Sequence, residues 1–202
     1  MDGINLTGTR RVAAVSMFTA LAVATDYAMF PLADVKLMDC IVFVAALTFG
    51  VGVGASVGAL TWLIYGTVNP LGADTGPLLL LLILSEMVYV AFGYVARRLL
   101  SAGESIPARS LLWGSFGLVG AFAYDFNTIF TPYLLTGQSV SVSLAEMLPA
   151  APFMLAHEVS DFVFFATVAP LLYVAVRKAA SGRALRVEGA PSTGTLEAEN
   201  VR

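Results

Sequence analysis

Ionisable side chains interrupt the apolar stretches of this sequence. They are Asp26, Glu86, Asp125, His157, Glu158 and Asp161. An ionisable group is costly inside a membrane, so each of these residues is a candidate for a functional site. Residues three or four positions apart share a helix face, so Asp161 can neighbour either His157 or Glu158. The last three residues therefore predict a polar patch on one helix.

The segment His157-Glu158-Val-Ser-Asp161 is similar to the zinc-binding motif of metalloproteases. In that motif two histidines four residues apart hold zinc and the glutamate acts as a base. Here aspartate stands at the second ligand position, and the sequence contains 1 histidine. Catalytic zinc usually needs at least two strong nitrogen or sulfur ligands. We therefore expect no metal, no cofactor and no catalytic residue. A small intramembrane enzyme, a metal-assisted hydrolase that uses the outer acidic and histidine residues, is the alternative.

The composition indicates an integral membrane protein. Of the 202 residues, 58% are hydrophobic and 12% are charged, and the mean hydropathy is +0.82. Soluble domains carry about 25% charged residues. The single Cys40 excludes an internal disulfide. The sequence contains no phosphate-binding loop, nucleotide motif or nucleophilic triad. It therefore lacks any means of powering transport by itself, and nucleic acid is not an expected partner.

Basic residues lie at the ends of the apolar stretches. The clusters are Arg10 with Arg11, Arg97 with Arg98 and Arg109, Arg177 with Lys178, and Arg183 with Arg186. Lysine and arginine near the ends of membrane spans mark the cytoplasmic side. The apolar stretches are 12–30, 39–66, 77–96, 110–130 and 152–176. Five spans would place Arg97 and Arg98 on the side opposite Arg10 and Arg11, which violates the charge rule.

Breaking the run 39–66 into two helices restores that rule. As a single helix its 28 residues would be about 42 Å long, against roughly 30 Å of hydrocarbon. Gly50, Gly52 and Gly54 suit a tight turn near its middle. The sequence thus predicts an all-α integral membrane protein, a bundle of six transmembrane helices with both termini cytoplasmic. One long tilted helix over 39–66 is the alternative.

Three regions follow from this topology. Residues 1–9 form a cytoplasmic N-terminal tail, and residues 10–178 form the six-helix membrane domain. From Ala179 onward large apolar residues are scarce, which is typical of disorder, so 179–202 is expected to be a disordered cytoplasmic tail. The expected location is the cell (plasma) membrane, as a multi-pass protein.

Most of the ionisable residues fall towards the outer face in this topology. Asp26, Asp125 and residues 157–161 lie in the outer third of their helices, whereas Glu86 lies near the midplane. Small-molecule sites combine an apolar lining with a few convergent polar groups, and aromatic and amide side chains lie at similar depth. The predicted substrate-binding residues are Trp62, Tyr65, Asn69, Glu86, Tyr89, Asp125, Asn127, His157, Glu158 and Asp161.

Some of these assignments have simpler alternatives. Asp125 and Asn127 point about 200° apart on a helix, so at most one of them is central to a shared cavity. Trp62 and Tyr65 also suit an aromatic belt at the membrane surface. Asp26 lies near the outer end of its helix, where solvent is an alternative partner.

The outer side holds an excess of acids over bases. Lys36 is the only basic residue that the topology places there. Either some carboxylates are protonated, or the ligand brings positive charge or many hydrogen-bond donors. The sequence therefore favours a cationic or donor-rich ligand, such as a thiamin-like or amine-bearing compound. A polyanionic or phosphorylated ligand would lack partners.

Small-residue motifs carry a resemblance to a transporter family. The first helix follows a basic pair and has Ser16, Ala20 and Ala24 at four-residue spacing. Asp39 leads a short helix that ends Ala45-Ala-Leu-Thr-Phe-Gly50 and is followed by Gly54 and Gly58. Over roughly residues 10–178 the sequence resembles the substrate-binding S component of energy-coupling factor (ECF) transporters. Val51 stands where that family usually has proline.

The resemblance implies a subunit that captures a vitamin or related micronutrient near the outer face. The loop 31–38, with Asp34 and Lys36, would act as its lid. Uptake would require an ECF transmembrane coupling subunit and two ATP-binding cassette (ABC) ATPases. Ser16, Ala20 and Ala24 would meet the coupling subunit, because small residues let helices approach closely in lipid. The alternative for this stripe is internal packing. A membrane structural factor with no ligand is a third hypothesis for the whole chain.

Overall fold

The computed structural model describes residues 4, 6–70, 72–74, 76–99 and 105–188, with side chains as far as residue 180. The helices are α1 (Gly8–Met29), α2 (Met38–Phe49), α3 (Val51–Thr67), α4 (Gly76–Leu99), α5 (Ile106–Leu135), α6 (Val140–Ala145) and α7 (Met147–Glu188). These described ranges contain no strand, which confirms the all-α class. Three segments are long and apolar enough to cross a membrane, namely Gly8–Met29, Gly76–Leu99 and Met147–Ala180. They agree with a membrane protein, whereas the count of six spans and the side of the termini stay predictions.

The apolar run 39–66 is broken at Gly50. This residue has φ 98°, in the left-handed region that glycine adopts without a steric penalty. Its amide donates to Ala46 O at 2.9 Å and so ends α2, while its carbonyl accepts from Val53 and Gly54 at the start of α3. The predicted break is confirmed, and the single long helix is wrong.

Arginines from two helices lie beside this turn. A Cβ added at Gly50 would lie 3.3 Å from Arg97 Nη1, and one added at Gly52 would lie 2.6 Å from Arg11 Nη2. The start of α1, the α2–α3 turn and the end of α4 therefore share one end of the bundle, which we call the arginine end. Consecutive helices from α1 to α4 run in alternating directions, as the charge pattern predicted.

Helix α2 lies in the middle of the bundle. Every residue from 38 to 48 is buried, and the helix packs against α1, α3, α4 and α7. Close approach depends on glycine, since a Cβ at Gly93 would lie 2.6 Å from Phe43 O and one at Gly54 would lie 2.5 Å from Ala46 Cβ. Small residues gain van der Waals contact between helices in this way. Gly54 is thus a packing residue.

Helix α7 extends further than expected. Its backbone stays helical to Glu188, ten residues beyond the membrane domain predicted to end at 178. A helix that has already formed is propagated at little cost by good helix formers, and alanine, arginine and leucine are frequent over this stretch. The remainder of the predicted disordered tail, 189–202, lies outside the described residues.

Candidate functional site

One histidine joins three helices at the centre of the bundle. His157 of α7 has Nδ1 2.9 Å from Asp125 Oδ1 of α5 and Nε2 2.9 Å from Asp39 Oδ2 of α2. All three side chains are buried, with His157 1% exposed. Both ring nitrogens therefore face a carboxylate oxygen, which fixes the plane of the imidazole ring.

Two further carboxylates lie beside this histidine. Asp161, one turn along α7, has Oδ2 3.9 Å from His157 Nε2 and is 0% exposed. Glu86 of α4 is also 0% exposed, and its Oε2 accepts a hydrogen bond of 3.2 Å from Trp62 Nε1. We call Asp39, Glu86, Asp125, His157 and Asp161 the buried acid cluster.

Several acceptors in the cluster lack hydrogen-bond donors. Glu86 faces Asp39, and the Tyr89 hydroxyl faces Asp161. Within the described part of the chain, however, Glu86 Oε1 and both oxygens of Asp161 make no well-formed hydrogen bond with these neighbours. A buried polar atom without a partner costs about 1–3 kcal/mol, and more when it is charged. The cluster therefore suits either protonated carboxyl groups or a bound species that is positive or rich in donors.

Two aromatic rings cover the cluster. Trp62 and Tyr124 stack with ring centroids 6.1 Å apart and an interplanar angle of 16°. Tyr124 also meets the His157 ring edge-on, at 5.8 Å and 87°. Trp62 thus touches the cluster through Glu86 and presents its ring towards the other side, where a pocket opens.

The pocket lies at the end opposite the arginine end, which we call the pocket end. Its volume is about 390 Å³. The polar and aromatic residues that line it are Asp26, Asp34, Lys36, Trp62, Tyr65, Asn69 and Asp74. They come from the end of α1, the loop that follows it, α3 and the loop before α4. The expected lid loop therefore forms one wall of the pocket.

Lys36 occupies the aromatic wall of this pocket. Its Nζ lies 5.1 Å from the ring centroid of Trp62 and 5.8 Å from that of Tyr124, and 3.8 Å from Asp34 Oδ1. Burial lowers the pKa of Lys36, but the nearby carboxylates, Asp34 and Asp39 above all, raise the pKa by more. The net shift is therefore upward. The side chain is therefore an ammonium held against two ring faces, an arrangement typical of cation recognition.

Asp26 faces the same pocket from α1. It is 3% exposed, and the backbone of Met38 lies beside its carboxyl group. The alternative that Asp26 is merely solvated is wrong, because the loop 30–36 encloses it. Asp74 also lines the pocket, where burial raises its pKa and Lys36 opposes that shift.

Most of the predicted substrate-binding residues converge on these two places. Glu86, Asp125, His157 and Asp161 belong to the cluster, with Tyr89 beside it, while Trp62, Tyr65 and Asn69 line the pocket. Trp62 and Tyr65 are 3% and 8% exposed, so a belt at the lipid surface is wrong for both.

Two predicted residues lie apart from the cluster. Asn127 points to α4, where its Nδ2 donates to Ser85 Oγ at 2.7 Å, so Asp125 is the central residue of that pair. Glu158 is half-buried on a different face of α7 from His157. One cluster residue, Asp39, was assigned to a family motif alone. Its position as an acid heading a wholly apolar helix is the signal that marks it.

The small-residue stripe of α1 points away from the bundle. Ser16, Ala20 and Ala24 are all exposed, while Phe18 and Ala22 on the other face are buried. Internal packing is therefore wrong for this stripe.

No known protein family, curated protein or solved structure matches the chain.

Proposed function

We propose that this protein is the membrane-embedded substrate-binding subunit of an ECF-type ABC importer in the plasma membrane. It captures a small cationic, vitamin-like solute in the pocket at its outer face. The observation that carries the proposal is the position of the Lys36 ammonium. It lies over Trp62 and Tyr124 in a pocket that is also lined by the buried acid Asp26. Aromatic rings and acids that hold the ammonium of Lys36 also suit the ammonium group of a bound ligand.

The size and charge of the pocket support a small organic cation. Its volume of about 390 Å³ lies within the range of roughly 300–1,000 Å³ that is usual for small-molecule sites. Three acidic side chains and one ammonium are among the residues that line it, namely Asp26, Asp34, Asp74 and Lys36. This balance favours a cation and disfavours a polyanion.

The loop 30–36 before α2 would act as a lid that carries the Lys36 ammonium. Residues 30–36 form part of the pocket wall, and turns close at Leu32 N–Met29 O (2.8 Å) and Val35 N–Leu32 O (3.3 Å). Movement of this loop would carry the Lys36 ammonium with it. An entering cation would thus exchange with a tethered one, which keeps the charge of the pocket balanced.

The exposed stripe of α1 suits the coupling subunit. Ser16, Ala20 and Ala24 form a smooth face against which another helix can pack closely. The sequence has no nucleotide motif, so the energy for uptake would come from the two ABC ATPases of the complex.

The test is direct binding to the purified protein. Native mass spectrometry of the chain in nanodiscs should release a retained small molecule with a basic nitrogen. Titration calorimetry should then show that Asp26→Asn weakens its binding at least tenfold. Glu158→Gln, which removes a carboxylate outside the pocket, should not. Equal affinity in all three proteins, or a retained polyanion, would overturn the proposal.

A metal-assisted hydrolase is the second candidate. One ligand atom from each of Asp39, His157 and Asp161 lies within 4.8 Å of the others, which is compatible with a metal site. The enzyme hypothesis requires turnover that needs metal and is lost in Asp161→Asn. Solute binding without turnover would eliminate it.

A further inference from the structure

The buried acid cluster contains a set of ligands arranged for a metal ion. His157 Nε2 lies 2.9 Å from Asp39 Oδ2 and 3.9 Å from Asp161 Oδ2, and the three ligand atoms all lie within 4.8 Å of one another. The exposures of the three side chains are 1%, 2% and 0%. An ion bound by these atoms would lie between helices α2 and α7, whereas an organic solute of vitamin size belongs in the pocket above.

The partner of the other ring nitrogen orients the histidine as a ligand. Nδ1 of His157 lies 2.9 Å from Asp125 Oδ1, so an Nδ1–H donates to that carboxylate. Metal binding at Nε2 would replace its 2.9 Å hydrogen bond to Asp39 Oδ2 and release that proton. Metal-bound histidines almost always donate their second ring N–H to such an acceptor, which fixes the tautomer and raises ligand basicity.

A proton alone leaves this arrangement incomplete. A doubly protonated ring donates to one oxygen of Asp125 and one of Asp39. Among the described residues it leaves Asp161, which is 0% exposed, with the Tyr89 hydroxyl as its neighbouring donor and with no well-formed hydrogen bond. Glu86 faces the Asp39 carboxyl group, so two acidic side chains are neighbours there. A divalent cation at the centre would bind Asp39, Asp161 and Nε2 together and would offset the excess of negative charge.

The donor set indicates which cations would bind. One imidazole nitrogen with two carboxylates is a poor set for catalytic zinc, but it suits a non-catalytic Zn²⁺, Mn²⁺ or Fe²⁺ ion, while Mg²⁺ and Ca²⁺ prefer oxygen ligands alone. Bonds of about 2.0–2.2 Å to zinc would require Asp161 to move slightly towards Nε2.

We propose that Asp39, His157 and Asp161 bind a divalent transition-metal ion in the interior of the bundle, with Asp125 orienting the histidine. This site is separate from the solute pocket and does not depend on the transport proposal. Its ion ties α2 to α7 beneath the pocket floor.

The experiment measures metal in the full-length protein. The chain is purified in nanodiscs from cells grown with added Zn²⁺ and Mn²⁺. Its metal content is quantified by inductively coupled plasma mass spectrometry. Wild type and Glu158→Gln, a neighbouring acid outside the cluster, should retain about one ion per chain. Asp161→Asn and His157→Gln should retain almost none. Metal-free wild type, or equal metal in Asp161→Asn and Glu158→Gln, would overturn the site.

A second measurement needs no variant. Chelator-treated wild type is titrated with Co²⁺, whose visible absorption reports the ligand geometry. We expect a saturable band at one equivalent that Zn²⁺ abolishes, and a melting temperature that rises with Zn²⁺ but not with Mg²⁺. No band and no thermal shift would mean that the cluster holds protons only. Because Asp26 is outside the cluster, Asp26→Asn should keep full metal content, so this result is independent of the solute assay.

Discussion

Trp62 Nε1 donates a hydrogen bond of 3.2 Å to Glu86 Oε2. Trp62 lines the pocket and Glu86 belongs to the buried acid cluster, so this bond is a direct link between the two polar regions. A solute that displaces the indole ring changes the environment of a carboxylate beneath it. The pocket and the cluster are therefore expected to respond to each other.

Replacing Trp62 tests this link. Trp62→Phe keeps an aromatic ring but removes the donor, which leaves Glu86 Oε2 without its partner. We expect the free energy of unfolding to fall by about 1–3 kcal/mol, the usual effect of orphaning a buried polar group. Thermal unfolding in a Glu86→Leu background supplies the control, because the penalty for Trp62→Phe should shrink there. An unchanged penalty would mean that the effect is one of packing alone.

Removing the lid ammonium should strengthen the binding of a cationic solute. Lys36→Met frees the faces of Trp62 and Tyr124, which hold Nζ at 5.1 and 5.8 Å. An ammonium–aromatic contact is worth about 1–2 kcal/mol, so affinity should rise roughly tenfold. Lys36→Arg keeps the charge and should leave affinity near that of wild type. Titration calorimetry measures both, and weaker binding in Lys36→Met would show that Lys36 contacts the solute.

Close packing of α2 against α4 should fail when a methyl group is added. In Gly93→Ala the new Cβ would lie 2.6 Å from Phe43 O, a backbone atom that moves only with the helix. Overpacking of this kind costs about 1–3 kcal/mol, and the melting temperature should fall accordingly. Gly76→Ala in the same helix is the matched control, because its Cβ would meet nothing within 4 Å. Equal melting temperatures for the two variants would contradict the described packing.

Enlarging a residue of the α1 stripe should impair assembly and spare solute binding. Ala20 is exposed, so Ala20→Leu fits the isolated subunit but keeps a partner helix at a distance. Copurification with the proposed coupling subunit should decrease severalfold, while calorimetric affinity for the proposed solute stays constant. Leu171 is 72% exposed on α7, and Leu171→Trp is the control for bulk elsewhere on the surface. Normal assembly of Ala20→Leu would place the coupling interface on another face.

The break in the run 39–66 was predictable because two independent constraints met at one place. Charge parity required an additional reversal of direction, and Gly50 provided a residue able to adopt φ 98°. Arg97 and Arg11 both lie beside this turn, so the two basic clusters are at the same end of the bundle, as that parity requires. Basic pairs were a less reliable guide to where a helix ends, since α7 continues well past Arg177 and Lys178.

The composition of the cluster was only partly predictable. Spacing allowed Asp161 to pair with His157 or with Glu158, and the structure selects His157 because both face α2 and α5. Asp39 could not be placed from helix periodicity, since every residue around it is apolar and buried. A helix enclosed on all sides has no polar face to reveal its orientation.

The short central helix has a consequence for the electric field across the membrane. The 12 residues of α2 rise about 18 Å, whereas the 24 of α4 rise about 36 Å. At the pocket end the missing length is taken up by the loop 30–36 and the pocket that it lines. In the proposed topology, water in that pocket would lie below the surface of the bilayer. The membrane voltage would then drop across a thinner layer. Each elementary charge moved through 100 mV is worth about 2.3 kcal/mol, so release of a cationic solute inward would be assisted by an inside-negative potential.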